Sequence, residues 1–541
     1  MPDFSLPEIS AVARPEFADR ASCAAWVAEL PLVNVAPSQI RLLDQLQELN
    51  RFGMPPAERL EVLEVLREPV HFVQAEQIKK LVNKPLPLTQ AERGIFGYVV
   101  DLWQELLAGY QRCLMSASEG KLGGRAALIC QRGLDCVASN MFDHCRVYHA
   151  FADAYWLALH RLYRHAEEAG ASGTAVKDPV KKTDMSCTEV YVRALLFVLA
   201  DPYEQQQKQL LQIQGWLERW ALQVSVRHTP PEDTSLPPLL LDFSAAAGAY
   251  RDADAAGRTP SRWLDISELA RTLKKRVVLL RKGESPASLG LGEDCAMPGV
   301  EQLLVVLFRL WCEGKNARLQ TRRSVSAKAK VCSTLGSMHF HIAGGKVFRQ
   351  PGHATELTRR ERDEIATFGH TSTRLEEAFI AGGGFATEDW MLKEESLSGL
   401  RIVRPANSAA GRYAHTQLIA VRPADARNFL VGVVRWLRSD ENEDLHLGVR
   451  VVPGVPKAVA IRSGGGGAQS EKFVPALFCP AIPALATPAS MVLAPDWYRP
   501  RRMLEVYSDA SELLLLTGVI ERGSDFERVA IEPALPGVSN R

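Results

Sequence analysis

The ten cysteines of this 541-residue chain include no CxxC pair and no Cys/His spacing typical of a zinc site, which excludes a fold built on structural zinc. They read instead as buried apolar residues in a reducing cytoplasm. A charge excess of either sign is also missing. Lys+Arg 64 against Asp+Glu 63 leaves +1, so there is no global basic field of the kind that drives non-specific DNA binding, and any polyanion site must be local. No apolar run approaches the roughly 20 residues a membrane helix needs. The N-terminus, MPDFSLPEISAVARPEF, has neither a basic n-region nor an apolar h-region. A cytoplasmic protein without membrane insertion is expected.

Catalytic signatures are absent too. No Ser, Cys or Thr sits in a nucleophile-elbow sequence, no GxGxxG follows a strand, and Gly464–Gly467 lacks the Lys-Ser/Thr ending of a phosphate-binding loop. His339-Phe340-His341 reads as part of a strand, where alternating side chains point to opposite faces and cannot share one metal. Asp143, His144, His149, His160 and His165 fall on candidate helices with Tyr148, Tyr155, Trp156 and Tyr163, but without a Glu-x-x-His or HExxH pattern, and read as a polar helix flank. No enzyme, metal or cofactor is expected.

A 46% hydrophobic content over this length supports two or three domains. From about residue 36 to 314 apolar residues recur at helical spacing, as in Leu60, Leu63 and Leu66. Helices are predicted over 91–115, 124–139, 142–168, 188–200, 203–223, 264–282 and 298–313. Capping boxes are expected at Thr89/Glu92 and Asp265/Glu268. Beyond Arg318 the pattern turns to β, with strands expected at 330–335, 400–404, 417–421, 431–437, 445–452, 491–493, 503–506, 513–517 and 526–531. The boundaries that follow are a helical N-terminal domain over 1–228, a linker over 229–260 in which Leu239–Phe243 could form a short strand, a helical segment over 261–314, a β domain over 315–472 with an insertion at about 343–399, and further strands over 473–541. The insertion reads as partly helical around 359–368 and 373–380.

Three features of the β region occur in order. From Gly314 to Thr355 there is no acidic residue, while Lys315, Arg318, Arg322, Arg323, Lys328, Lys330, Lys346 and Arg349 all fall inside. Next comes the turn Asn407-Ser408-Ala409-Ala410-Gly411, and then Val431–Trp436 (VGVVRW) and Leu447–Val451 (LGVRV). Together they resemble a PilZ domain, a small β-barrel whose signature is Arg-x-x-x-Arg, an Asp/Asn-x-Ser-x-x-Gly turn, and strands reading like VRW and GVRF. The resemblance covers about 318–470 and implies an α+β multidomain protein, in which the helical N-terminal domain precedes a PilZ-like barrel with additional C-terminal strands.

It also implies a non-catalytic receptor for cyclic di-GMP, with Arg318, Arg322, Arg323, Asn407, Ser408 and Gly411 as ligand-binding residues and an unidentified protein partner engaged through the helical domain. The chemistry agrees: an Arg fork bonds phosphate bidentately and is the best reader of guanine O6 and N7. In this chain Ala406 stands where the family has Asp or Asn, and Asn407 is one residue late. The alternative is therefore a PilZ-like scaffold that has lost the nucleotide and acts through protein contacts.

Overall fold

The computed structural model describes residues 6–118, 122, 124–232, 235–251, 260–314, 322–351, 385–406, 411–464 and 471–534. Its contacts divide the chain into two units, Met1–Lys84 with Leu88–Leu319, and Pro85–Pro87 with Gln320–Arg541.

The first unit is helical, with α1 (Arg20–Ala28), α2 (Val35–Arg51), α3 (Pro56–Lys79), α4 (Gln90–Ser118), α5 (Ala126–Arg146), α6 (Ala154–Glu168), α7 (Cys187–Leu199), α8 (Gln207–Trp220), α9 (Ser267–Arg281) and α10 (Gly299–Phe308). Local chemistry sets several starts. Thr89 and Glu92 bond each other's backbone N–H as predicted, and Ser186 with Glu189 does the same for α7. Asp265 behaves differently: it accepts from the N–H of Ser267 and pairs with Arg227 instead of completing a box with Glu268. A three-stranded sheet in the order β1 (Ser225–Arg227), β3 (Arg262–Asp265), β2 (Leu239–Leu241) carries the short strand raised at 239–243.

Two sequence expectations fail here. The single helix over 142–168 is two, because the chain turns at Tyr148 with φ 51°, a turn tied to the approach to α8 by Tyr148 Oη donating to the Gln205 carbonyl (2.7 Å). Asp143, His144 and His160 are not a polar flank but are buried. His160 bridges Tyr191 Oη at 2.7 Å and the Ala247 carbonyl at 2.8 Å, and Trp103 Nε1 donates to Asp143 at 2.9 Å.

Beside them lies a buried ionic network. Arg67 donates to both carboxylate oxygens of Asp178 (3.0 and 2.6 Å), and Arg132 donates to Asp178 (3.2 Å) and Glu64 (3.1 Å). Arg193 bonds Asp135 at 3.0 Å, and Lys181 bonds the same carboxylate. Burial works against ionising Asp135, but Lys181 and Arg193 outweigh it and hold the carboxyl far below its usual range.

The second unit holds two closed six-stranded antiparallel barrels. Barrel 1 runs in the order β4 (Arg323–Cys332), β5 (Glu388–Ser396), β6 (Gly399–Arg404), β9 (Leu445–Val451), β8 (Leu430–Ser439), β7 (Leu418–Pro423). Barrel 2 runs β10 (Lys457–Ser463), β11 (Val474–Cys479), β12 (Ser490–Leu493), β15 (Glu527–Pro533), β14 (Ser511–Arg522), β13 (Met503–Tyr507). The alternation of β8 and β9 sends Leu437 and Leu447 inward as a direct pair. β5 lies inside the stretch read as an insertion and is a barrel strand; the two helices expected at 359–368 and 373–380 lie outside the described residues. β10 was not foreseen, and β11 opens the 473–541 region in which further strands were expected. His339-Phe340-His341 belongs to α11 (Leu335–Ile342), started by Thr334 accepting from the Ser337 N–H, and not to a strand.

One apolar cluster joins the barrels: Leu418, Phe429, Val431 and Val433 of barrel 1 or its loops, Met338 of α11, and Leu477, Val492 and Phe526 of barrel 2 or its turns. Polar bonds cross at the same place, where the Leu418 N–H donates to Asp525 (2.9 Å) and Gln350 exchanges bonds with the Phe473 backbone (2.9 Å each).

Candidate functional site

Barrel 1 carries the sequence-predicted residues, and β5 fixes where they sit. Arg323 opens β4 and pairs with Glu395 at the far end of β5, and Arg322 Nη1 donates to Glu394 Oε2 at 3.0 Å. Gly411 sits at the near end, where its N–H donates to Glu388 Oε1 (2.7 Å) and its carbonyl accepts from Arg404 (2.8 Å). Six residues of strand separate Glu388 from Glu394, about 20 Å at the usual rise. The described residues therefore do not bring Arg322 and Gly411 together. Arg318, Asn407 and Ser408 lie outside the described residues.

The Gly411 end is a closed assembly. Arg404, buried, bonds Glu388 at 2.7 Å and lies 5.2 Å from the Trp390 ring and 5.5 Å from that of Tyr413. A Cβ at Gly411 would come within 3.0 Å of Glu388 Oε1. The Ala406 N–H donates to Asp444 at 3.0 Å. Burial, with the Glu388 charge beside it, raises the Tyr413 hydroxyl well above its usual range. The N–H groups of Ala406 and Gly411 are thus already bound to carboxylates.

The Arg322 end is different. Glu394 is the direct cross-strand partner of Arg401, Arg401 of Gly448, and Gly448 of Trp436. Directly paired residues share a face, so Trp436, Arg401 and Glu394 form one row across β8, β9, β6 and β5, with Arg322 reaching its end. Gly448 lets the Trp436 indole lie across the strand, since a Cβ there would meet Nε1 at 1.9 Å. Trp436 remains half-buried and Arg435 beside it is exposed. The Arg401 hydrogen bond at 2.8 Å, with Arg322 behind it, holds the Glu394 carboxyl below its usual range. An indole plate in one row with guanidinia is suited to a base and an adjacent phosphate.

Sequence reasoning missed Arg401 and Glu394 because they lie outside any motif; the alternation of β6 was the available signal. Trp436 figured there only as part of the VGVVRW strand. Among the described residues no group of three or more His, Cys, Asp or Glu is placed to hold a metal, and no helix is long and apolar enough to cross a membrane. All ten cysteines are buried free thiols.

Two family descriptions match the chain: "Cyclic-di-GMP receptor FimW, N-terminal domain" over residues 21–232, and "FimW C-terminal beta-barrel domain" over residues 459–534. The first falls on the helical unit and the second on barrel 2, so barrel 1 lies between them. A protein of Pseudomonas aeruginosa named "Cyclic-di-GMP receptor FimW" is 23% identical over 511 residues, covering 86% of this chain and 82% of its own.

Proposed function

We propose that this chain, similar at both ends to a cyclic-di-GMP receptor, is itself a non-catalytic cytoplasmic receptor for cyclic di-GMP, with a PilZ-like barrel 1 as the nucleotide-binding module and a protein partner as its output. The observation that carries this reading is the row Trp436, Arg401, Glu394 and Arg322 on barrel 1. A guanine stacked on the indole gains about 1–3 kcal/mol, and the charged Arg318–Arg323 segment supplies phosphate partners. Binding would favour one arrangement of the receptor over another, the only way a ligand can shift an equilibrium.

Calorimetric titration of cyclic di-GMP into the protein and into an Arg318→Ala/Arg322→Ala variant tests it. Each lost charge-assisted bond is worth about 1.5–3 kcal/mol, so the variant should bind at least about 10-fold more weakly; equal affinities would remove these arginines from the site. Asn407→Ala/Ser408→Ala tests the turn separately, and unchanged affinity there would make it purely structural.

A second reading rests on the occupied N–H groups of Ala406 and Gly411. In it barrel 1 no longer binds nucleotide and serves as a protein scaffold, and the wild-type titration would show no heat of binding.

A further inference from the structure

Glu394 is held by two arginines that come from different places in the chain. Its Oε2 accepts from Arg322 Nη1 at 3.0 Å and its Oε1 from Arg401 Nη1 at 2.8 Å. One carboxylate bridging two guanidinia occupies the position that two non-bridging oxygens of a phosphodiester would take, since Arg forks match carboxylate and phosphate alike. The group is accessible, with side-chain exposures of 38% for Arg322, 31% for Arg401 and 24% for Glu394. Next door a carboxylate meets a single arginine, where Glu395 accepts from Arg323, 72% exposed. Pairs this exposed exchange partners at little cost.

We propose that Glu394 is a built-in competitor of the nucleotide: it occupies Arg322 and Arg401 in the empty receptor, and a phosphate of cyclic di-GMP displaces it and takes both guanidinia. Arg401 is then a ligand residue of barrel 1 outside the Arg-x-x-x-Arg and turn motifs, and Glu394 sets the concentration at which the receptor responds. The inference rests on the cyclic di-GMP reading above. A pair that only braces the β5–β6 ladder makes the opposite forecast, because removing Glu394 would then loosen the site.

The test is the dissociation constant of cyclic di-GMP for the wild-type full chain, Glu394→Gln, Arg401→Ala and the double variant, each checked for an unchanged thermal melt. Glu394→Gln keeps the shape and removes the charge, and should tighten binding about 3- to 10-fold. Arg401→Ala should weaken it about 10-fold, and the gain from Glu394→Gln should shrink in the Arg401→Ala background. Binding by Glu394→Gln alone, with none by wild type, would also support the competitor. Wild-type binding that Glu394→Gln leaves unchanged or weakens would overturn the competitor and leave the receptor reading standing. Absence of binding by both proteins would overturn both.

Discussion

The ionic network of the helical unit and the Arg322 end of barrel 1 both pair arginine with carboxylate, and their settings are opposite. Arg67 and Asp178 are 2% and 1% exposed, whereas Arg323 and Glu395 are 72% and 28% exposed. Inside the helical unit, charges removed from water must keep their partners, and breaking such a pair leaves an uncompensated buried charge. At the Arg322 end of the barrel, water takes over whatever a lost partner provided. The same pair of functional groups is therefore a fixed part of the architecture in one place and an exchangeable contact in the other. Only the second kind can respond to a dissolved anion.

The largest effect is expected at Asp178. Asp178→Ala removes the acceptor shared by Arg67 and Arg132 and the cap on the Val180 and Lys181 N–H groups. A loss of about 3–5 kcal/mol in urea denaturation is expected; a loss below about 1 kcal/mol would mean the network is no more structural than the barrel pairs.

Asp143 sharpens the comparison through pH. Burial pushes this carboxyl up to about 6, against partial relief from Arg146 and Trp103. Because the folded value is raised, its contribution is fully present below the unfolded value and is lost as pH rises through about 6. Relative to wild type, Asp143→Asn should therefore gain stability as pH rises from 4 to 8, by about 2 kcal/mol, whereas the buried His71 and His144, held below their usual range by burial, push the stability of both proteins the other way. Denaturation curves for both proteins at the two pH values check this.

The smallest effect belongs to Arg323→Ala. Its exposed pair with Glu395 should contribute less than about 1 kcal/mol, and a melting curve shifted by more would contradict the exchangeable character assigned to this face.

Much of this architecture was readable from residues alone. The Val-rich runs at 431–437 and 445–452 gave β8 and β9, and the apolar spacing gave most helices. β5 was missed for a physical reason: Glu388, Asp389, Glu394 and Glu395 make it look unlike a strand, and those acids are tolerated because Arg404, Lys330, Arg322 and Arg323 meet them from neighbouring segments. The break at Tyr148 depends on Gln205, far away in sequence, and no local pattern reports it. At the candidate site, Arg322 drew attention through its spacing. Arg401 did not, because its significance comes from a cross-strand partner that only register reveals.

The apolar cluster shared by the two barrels has a consequence for how far they can be taken apart. Phe526 and Leu477 on one side and Val431 and Leu418 on the other fill a single interior, so neither barrel has a finished surface where they meet. A gene fusion or a recombination event that carried away barrel 1 alone would deliver a domain with an open wound. Either barrel produced without the other should therefore turn this apolar face to water and aggregate.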